Sequence, residues 1–187
     1  SAYNQLKALG YDVVKTSESA KSVEGIDNTF ASILVSQVRE MYTQEQADAT
    51  TQSLMINAAR RAHYQNVIEP LLKAGKVIIM DRFYLSTFFN YQSECPVNGQ
   101  IYSLAMGQFK PDYTVVLRAN AETSRTRIAA RGGSLDINDD KAIARFATIQ
   151  NKLLSWVTNN KGAVIEATRS AEEVAAELVD QILNAME

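Results

Sequence analysis

Four consecutive apolar residues, Val77 to Met80, run straight into the charged pair Asp81-Arg82, behind a helical repeat that stops at Gly75. No other stretch restricts the fold as much. A strand with one wet face alternates apolar and polar residues, whereas an unbroken apolar run suits a parallel strand covered on both faces. Parallel neighbours need crossovers, usually helical, and the sequence supplies them. Further strands are expected at Val13 to Thr16, around Tyr113 to Leu117 in PDYTVVLRA, and near Ala163 to Ala167 in KGAVIEAT. Between them, TFASILVSQVREMY and ATTQSLMINAARRAHYQNVIEPLLKAG space their apolar residues by three and four, as helices do. AETSRTRIAA, DDKAIARFATIQNKLLSWVTNN and SAEEVAAELVDQILNAM read as helices too, the last opened by an S-x-x-E capping box at Ser170 and Glu173. This order predicts a three-layer α/β/α domain with a parallel sheet, spanning residues 1–187 as one domain.

Charge gathers where such a sheet ends. The strand closing at Thr16 is followed by Ser17 and Glu18, the one closing at Met80 by Asp81 and Arg82, and the one closing at Leu117 by Arg118. In open α/β sheets ligands bind outside the carboxyl ends of the strands, because there the chain turns and polar groups face a crevice. An acid beside a base at that edge suits a magnesium-bound polyphosphate: the carboxylate holds a metal-bound water and the guanidinium clamps phosphate oxygens in a fork. The ordinary alternative is a structural ion pair at the sheet end.

Other classes are disfavoured. A net charge of −2 with no concentrated basic stretch argues against a nucleic acid polymer as partner. Apolar runs fall far short of the roughly 20 residues that cross a bilayer. One cysteine, Cys95, and one histidine, His63, can form neither an internal disulfide nor a zinc site, and a reducing cytoplasmic setting is expected. The five methionines are scattered and read as core filler.

With its neighbours included, the Asp-Arg pair becomes specific. DRFYLSTFFNYQ (81 to 92) joins an Asp-Arg-aromatic segment to Ser-Thr and Tyr-Gln. SLMINAARRAHYQNVIEPLLKAGKVIIMDRF (53 to 83) places an Ala-Ala-Arg helix and a Val-Ile-x-Pro turn before the strand, and PDYTVVLRANAETSRTRIAARGG (111 to 133) adds a Pro-Asp-x-Thr strand and an arginine-bearing segment. Together these resemble the thymidylate kinase family of P-loop nucleoside monophosphate kinases. The resemblance implies the P-loop NTPase type of fold, transfer of the γ-phosphoryl group of ATP to dTMP to give dTDP, Mg2+ as cofactor, and a homodimer. It also implies residue roles. Arg82 grips the acceptor's phosphate, and Asp81 lies near magnesium, reached through water, and the group in flight. Arg60 holds the acceptor nucleotide. Glu18, Ile56, Phe83, Asn90, Tyr91 and Gln92 are expected to bind substrate, and Arg127 and Arg131 belong to a lid near residues 127–141, with Arg131 neutralising charge on the transferring group. Ser86 and Thr87 are expected to cap a helix.

The sequence departs from the family in four places. The stretch G-x-x-x-x-G-K-S/T, whose amides wrap donor phosphates, does not occur. VEGIDNTFAS (23 to 32) carries the Glu-Gly-Ile-Asp opening without a second glycine or a lysine, and reads as the loop after the first visible strand. Aligned to the family, the chain starts inside the first helix, so the first strand and the P-loop are expected upstream of residue 1. Ser17 stands where the family usually has arginine, Ile56 where it commonly has a phenylalanine that stacks on thymine, and LDIND (135 to 139) lacks a basic residue of the lid. Two alternatives therefore remain open: a kinase for another deoxynucleotide or a deoxynucleoside, and a catalytically silent relative that binds nucleotide or a partner.

Overall fold

The structure, a computed structural model, describes residues 1–17, 19–44, 46–85, 89, 94–107, 109–130 and 137–187. Parallel strands connected by helices make it an α/β protein, as the alternation of patterns requires. Two compact units are distinguished, residues 6–110 and residues 1–5 with 111–187.

The short α1 (Ala2–Ala8) is divided between the two units after Gln5. In the first unit β1 (Val13–Thr16) pairs in parallel with β4 (Val77–Met80), Thr16 standing opposite Met80. A short hairpin, β2 (Ser22–Val23) and β3 (Ile26–Asp27), follows β1. Its two turn residues, Glu24 and Gly25, both have positive φ, as the twist of a two-residue hairpin loop demands. The segment expected to be a plain loop is thus a hairpin that leads into α2 (Thr29–Gln44). Asp48 starts α3 (Ala49–His63) by accepting a 2.7 Å hydrogen bond from the Thr51 amide. The helix expected to run unbroken to Gly75 instead passes through a π-helical turn, Tyr64–Ile68, before α4 (Glu69–Lys73). After β4 comes α5 (Asn98–Met106).

Two apolar clusters among the described residues help to hold this unit. Val35 and Val38 of α2 meet Ile56 and Ala59 of α3 and the buried thiol of Cys95. Val14 of β1 meets Val23, Val67 and Leu71, with Ile78 of β4 packed against them. All four residues of β4 are half-buried rather than covered on both faces as expected. Among the described residues β4 has a strand neighbour on one side only, which leaves its side chains fewer atoms to pack against.

In the second unit, β5 (Thr114–Arg118) pairs in parallel with β6 (Gly162–Glu166), each one residue or so out of step with the sequence expectation. The long α7 (Ile137–Thr158), which follows α6 (Ala121–Ala130) and carries the half-buried Trp156, packs on both strands, and α8 (Ala171–Met186) packs on β6. Both halves of the expected capping box are present at Ser170 and Glu173. Among the described residues no helix is long and apolar enough to cross a membrane.

Candidate active site

The end of the β1–β4 pair is built by the ladder itself. The Asp81 amide donates to the Thr16 carbonyl at 3.0 Å, so parallel pairing extends one residue past β4 and fixes the backbone of Asp81. Arg82 is the first residue to leave the ladder, and it does so with φ of +62°. A non-glycine residue pays about 1–2 kcal/mol for that left-handed conformation. Strain of this kind persists where the surroundings dictate it, often where a side chain must be aimed. Both Asp81 and Arg82 are exposed, so an acid and a base face solvent at the strand end.

Behind them lies an aromatic chain. Phe83 meets Tyr84 edge-on at 5.5 Å between ring centroids and Phe109 at 5.7 Å; Tyr84 stacks on Tyr102 at 4.6 Å, and Tyr64 lies 4.2 Å from Phe109. Burial pushes the Tyr84 phenol up. Burial, followed by the neighbouring Tyr84, pushes Tyr102 up to about 12, with Arg60 pulling the other way, and the neutral Tyr102 hydroxyl donates a hydrogen bond to the Phe109 carbonyl at 3.1 Å. Arg60, on α3, sets its guanidinium carbon 5.4 Å from the centre of the Phe83 ring, a cation–π contact.

Arg60 is only 1 % exposed, and burying a cation costs heavily unless its donors are satisfied. Its Nη1 donates to Asn57 Oδ1 at 2.9 Å, Asn57 Nδ2 donates to the Ser53 carbonyl at 2.8 Å, and the Ser53 hydroxyl donates to Asn98 Oδ1 at 2.6 Å. One turn on, the His63 ring joins the Thr16 hydroxyl through Nε2 at 3.1 Å. His63 Nδ1 is buried without a hydrogen-bond partner among the described residues, and burial pushes the ring's pKa down to about 4.

The structure thus brings Arg60 and Phe83 together and sets Asp81 and Arg82 at the strand end, all within residues 6–110. Ile56 is part of the α2–α3 core with Val35, Val38, Ala59 and Cys95. Arg118 is committed to an ion pair with Glu166, and Arg127 donates to the Arg169 carbonyl at 3.2 Å. Glu18, Asn90, Tyr91, Gln92 and Arg131 lie outside the described residues, as do Ser86 and Thr87. Sequence reasoning passed over Ser53 and Asn57. The available signal was their spacing: with Arg60 and His63 they fall four, three and three residues apart, a polar stripe along the buried face of α3 beside the apolar Ile56 and Ala59.

For metal binding, no cluster of three or more His, Cys, Asp or Glu side chains occurs among the described residues. Magnesium tolerates such a setting, since it keeps several waters and is commonly held by one or two carboxylates plus substrate phosphates. Asp81, exposed at the strand end, fits that sparse role.

Comparison with known proteins shows what the chain is similar to. A family model described as thymidylate kinase matches residues 2–178. The thymidylate kinase of Ruegeria pomeroyi is 29 % identical over 188 residues, covering 95 % of this chain and 83 % of its own length. That of Geobacter sulfurreducens is 30 % identical over 146 residues, covering 72 % of this chain and 68 % of its own. That of Caulobacter vibrioides is 29 % identical over 189 residues, with 96 % and 86 % covered.

Proposed function

The chain belongs to the thymidylate kinase family, and from that premise we propose that it is an ATP-dependent phosphotransferase that converts dTMP to dTDP. An oxygen of the acceptor's 5′-phosphate attacks the γ-phosphorus of ATP; the new P–O bond forms as the bond to the β-phosphate oxygen breaks, and ADP leaves. Such transfer asks a protein for positioning and charge neutralisation more than for a nucleophile. The observation that carries the reading is the strand end at Asp81-Arg82. Arg82, turned out of the ladder by its positive φ, presents a free-facing guanidinium that can clamp the acceptor phosphate in a fork. Arg60, held against Phe83, meets the acceptor nucleotide, and Asn90, Tyr91, Gln92 and Glu18 complete its binding by resemblance. Arg131 neutralises charge on the transferring group, again by resemblance. Mg2+, when bound, would neutralise the β- and γ-phosphate oxygens, and Asp81 would hold it through water.

Exposed Phe30 and Ile33 on α2, Leu54 on α3 and Leu104 on α5 are apolar surface of the kind subunit contacts cover, and they support a homodimer. A cytoplasmic setting suits the lone buried cysteine. The test is direct: incubate the full-length protein with ATP, Mg2+ and each of dTMP, dUMP, dCMP and thymidine, and separate the products. Phosphorylation of dTMP in preference to the others is expected. Preference for another acceptor would overturn the substrate assignment, and ADP formation with none of them would overturn the kinase reading.

A further inference from the structure

Four polar side chains, Ser53, Asn57, Arg60 and Asn98, are buried in the first unit with none more than 3 % exposed. Their immediate helix neighbours Ile56 and Ala59 belong to an apolar cluster, so an apolar face was available to α3 at these positions too. Replacing buried polar groups by apolar ones of similar volume is often neutral or stabilising, which makes stability alone a poor reason for the set.

The hydrogen bonds run one way. Arg60 can only donate, and the Ser53 carbonyl can only accept. Asn57 lies between them and therefore has a single amide orientation that satisfies both, oxygen toward the guanidinium and nitrogen toward the carbonyl. The Asn57 nitrogen also approaches the Ser53 hydroxyl at 3.4 Å, and that hydroxyl is taken up by Asn98 at the start of α5. The guanidinium is thus held by two contacts, the Asn57 oxygen at 2.9 Å and the Phe83 ring 5.4 Å away.

We infer that Asn57 is a positioning residue that fixes the Arg60 guanidinium for the acceptor nucleotide, with Ser53 and Asn98 holding Asn57 in turn. The inference rests on the proposed role of Arg60 in acceptor binding. Removing a hydrogen bond to a charged group corresponds to about tenfold or more in an equilibrium constant.

The test uses the full-length protein with Asn57→Leu, close to Asn in volume, and Asn57→Asp, which keeps an oxygen acceptor beside Arg60. N57L is expected to raise the KM for dTMP about tenfold while kcat and the KM for ATP change by less than about twofold. N57D is expected to recover most of the loss. In an Arg60→Met background, N57L should add no further increase in KM, because the residue through which it acts is gone. Equal rises in both KM values, or an undiminished effect of N57L beside R60M, would make Asn57 a structural residue only and overturn the inference. If the wild type does not accept dTMP, the reading of the acceptor site fails, and nitrogen NMR of the Arg60 Nη–H groups, one of which donates to Asn57, judges the clamp separately. A protected signal in the wild type that exchanges rapidly in N57L upholds it; an identical signal in both overturns it.

Discussion

The ring of His63, at the end of α3, is joined through Nε2 to the hydroxyl of Thr16, the last residue of β1. The same Thr16 accepts the Asp81 amide through its carbonyl, so one threonine links a helix to the strand end that carries Asp81 and Arg82.

Burial of His63 makes the fold acid-sensitive. Burial lowers the His63 pKa from 6.5 to about 4, so the folded protein takes up this proton at lower pH than the unfolded chain does. Stability from this residue is therefore complete above about pH 6.5 and is lost as pH falls toward 4, by about 1.4 kcal/mol per unit and roughly 3 kcal/mol in all. Urea unfolding at a series of pH values should show that slope in the wild type and lose it in His63→Gln. Parallel pH profiles for the two proteins would exclude His63 as the source.

At Arg82 backbone and side chain can be separated. Arg82→Gly and Arg82→Ala both remove the guanidinium, but only glycine accepts a φ of +62° freely. The glycine variant should be more stable than the alanine variant by about 1 kcal/mol. Both should fail to phosphorylate dTMP if the side chain grips the acceptor phosphate. Denaturant midpoints and a turnover assay on the pair check the two halves independently.

Gly162 opens β6 opposite Thr114, and a Cβ there would collide with the Thr114 carbonyl oxygen and the Val157 side chain. The carbonyl belongs to a paired strand and cannot step aside cheaply. Gly162→Ala should cost about 1–3 kcal/mol, the usual range for overpacking. A calorimetric Tm equal to that of the wild type would show that β5 and β6 part without strain.

Ser170→Ala removes one side of the capping box at the start of α8. The Ser170 hydroxyl accepts the Glu173 amide at 3.2 Å, while Glu173 accepts the Ser170 amide at 3.0 Å. Loss of such a cap costs about 1 kcal/mol. Chemical denaturation followed by circular dichroism should register it, and Ser170→Asp should restore most of the difference.

Much of this chain is readable because local chemistry decides it. Val77–Met80 is a strand since its apolar run has no helical phase, and α8 starts at Ser170 since its cap is written in four residues. The Asp81-Arg82 pair was legible as a strand end for the same reason. The contacts that shape the site are of another kind. Ser53 finds Asn98 45 residues away and His63 finds Thr16 47 residues away, and no local pattern announces either partner. The π turn at Tyr64–Ile68 interrupts a sequence whose propensities allow an unbroken helix, so tertiary packing overrides the local preference. Ile56 is a substrate residue by resemblance alone, and its place in the core between α2 and α3 depends on residues far from it in sequence.

The chain has one tryptophan and one cysteine, and they fall in different compact units: Trp156 on α7, and Cys95 in the core between α2 and α3. Fluorescence therefore follows residues 111–187, while labelling of the buried thiol follows residues 6–110, with no engineered probe in either. Opening of one unit ahead of the other would register in one channel and leave the other silent. The protein thus carries, in two side chains with no assigned chemistry, the means to resolve the order in which its halves come apart.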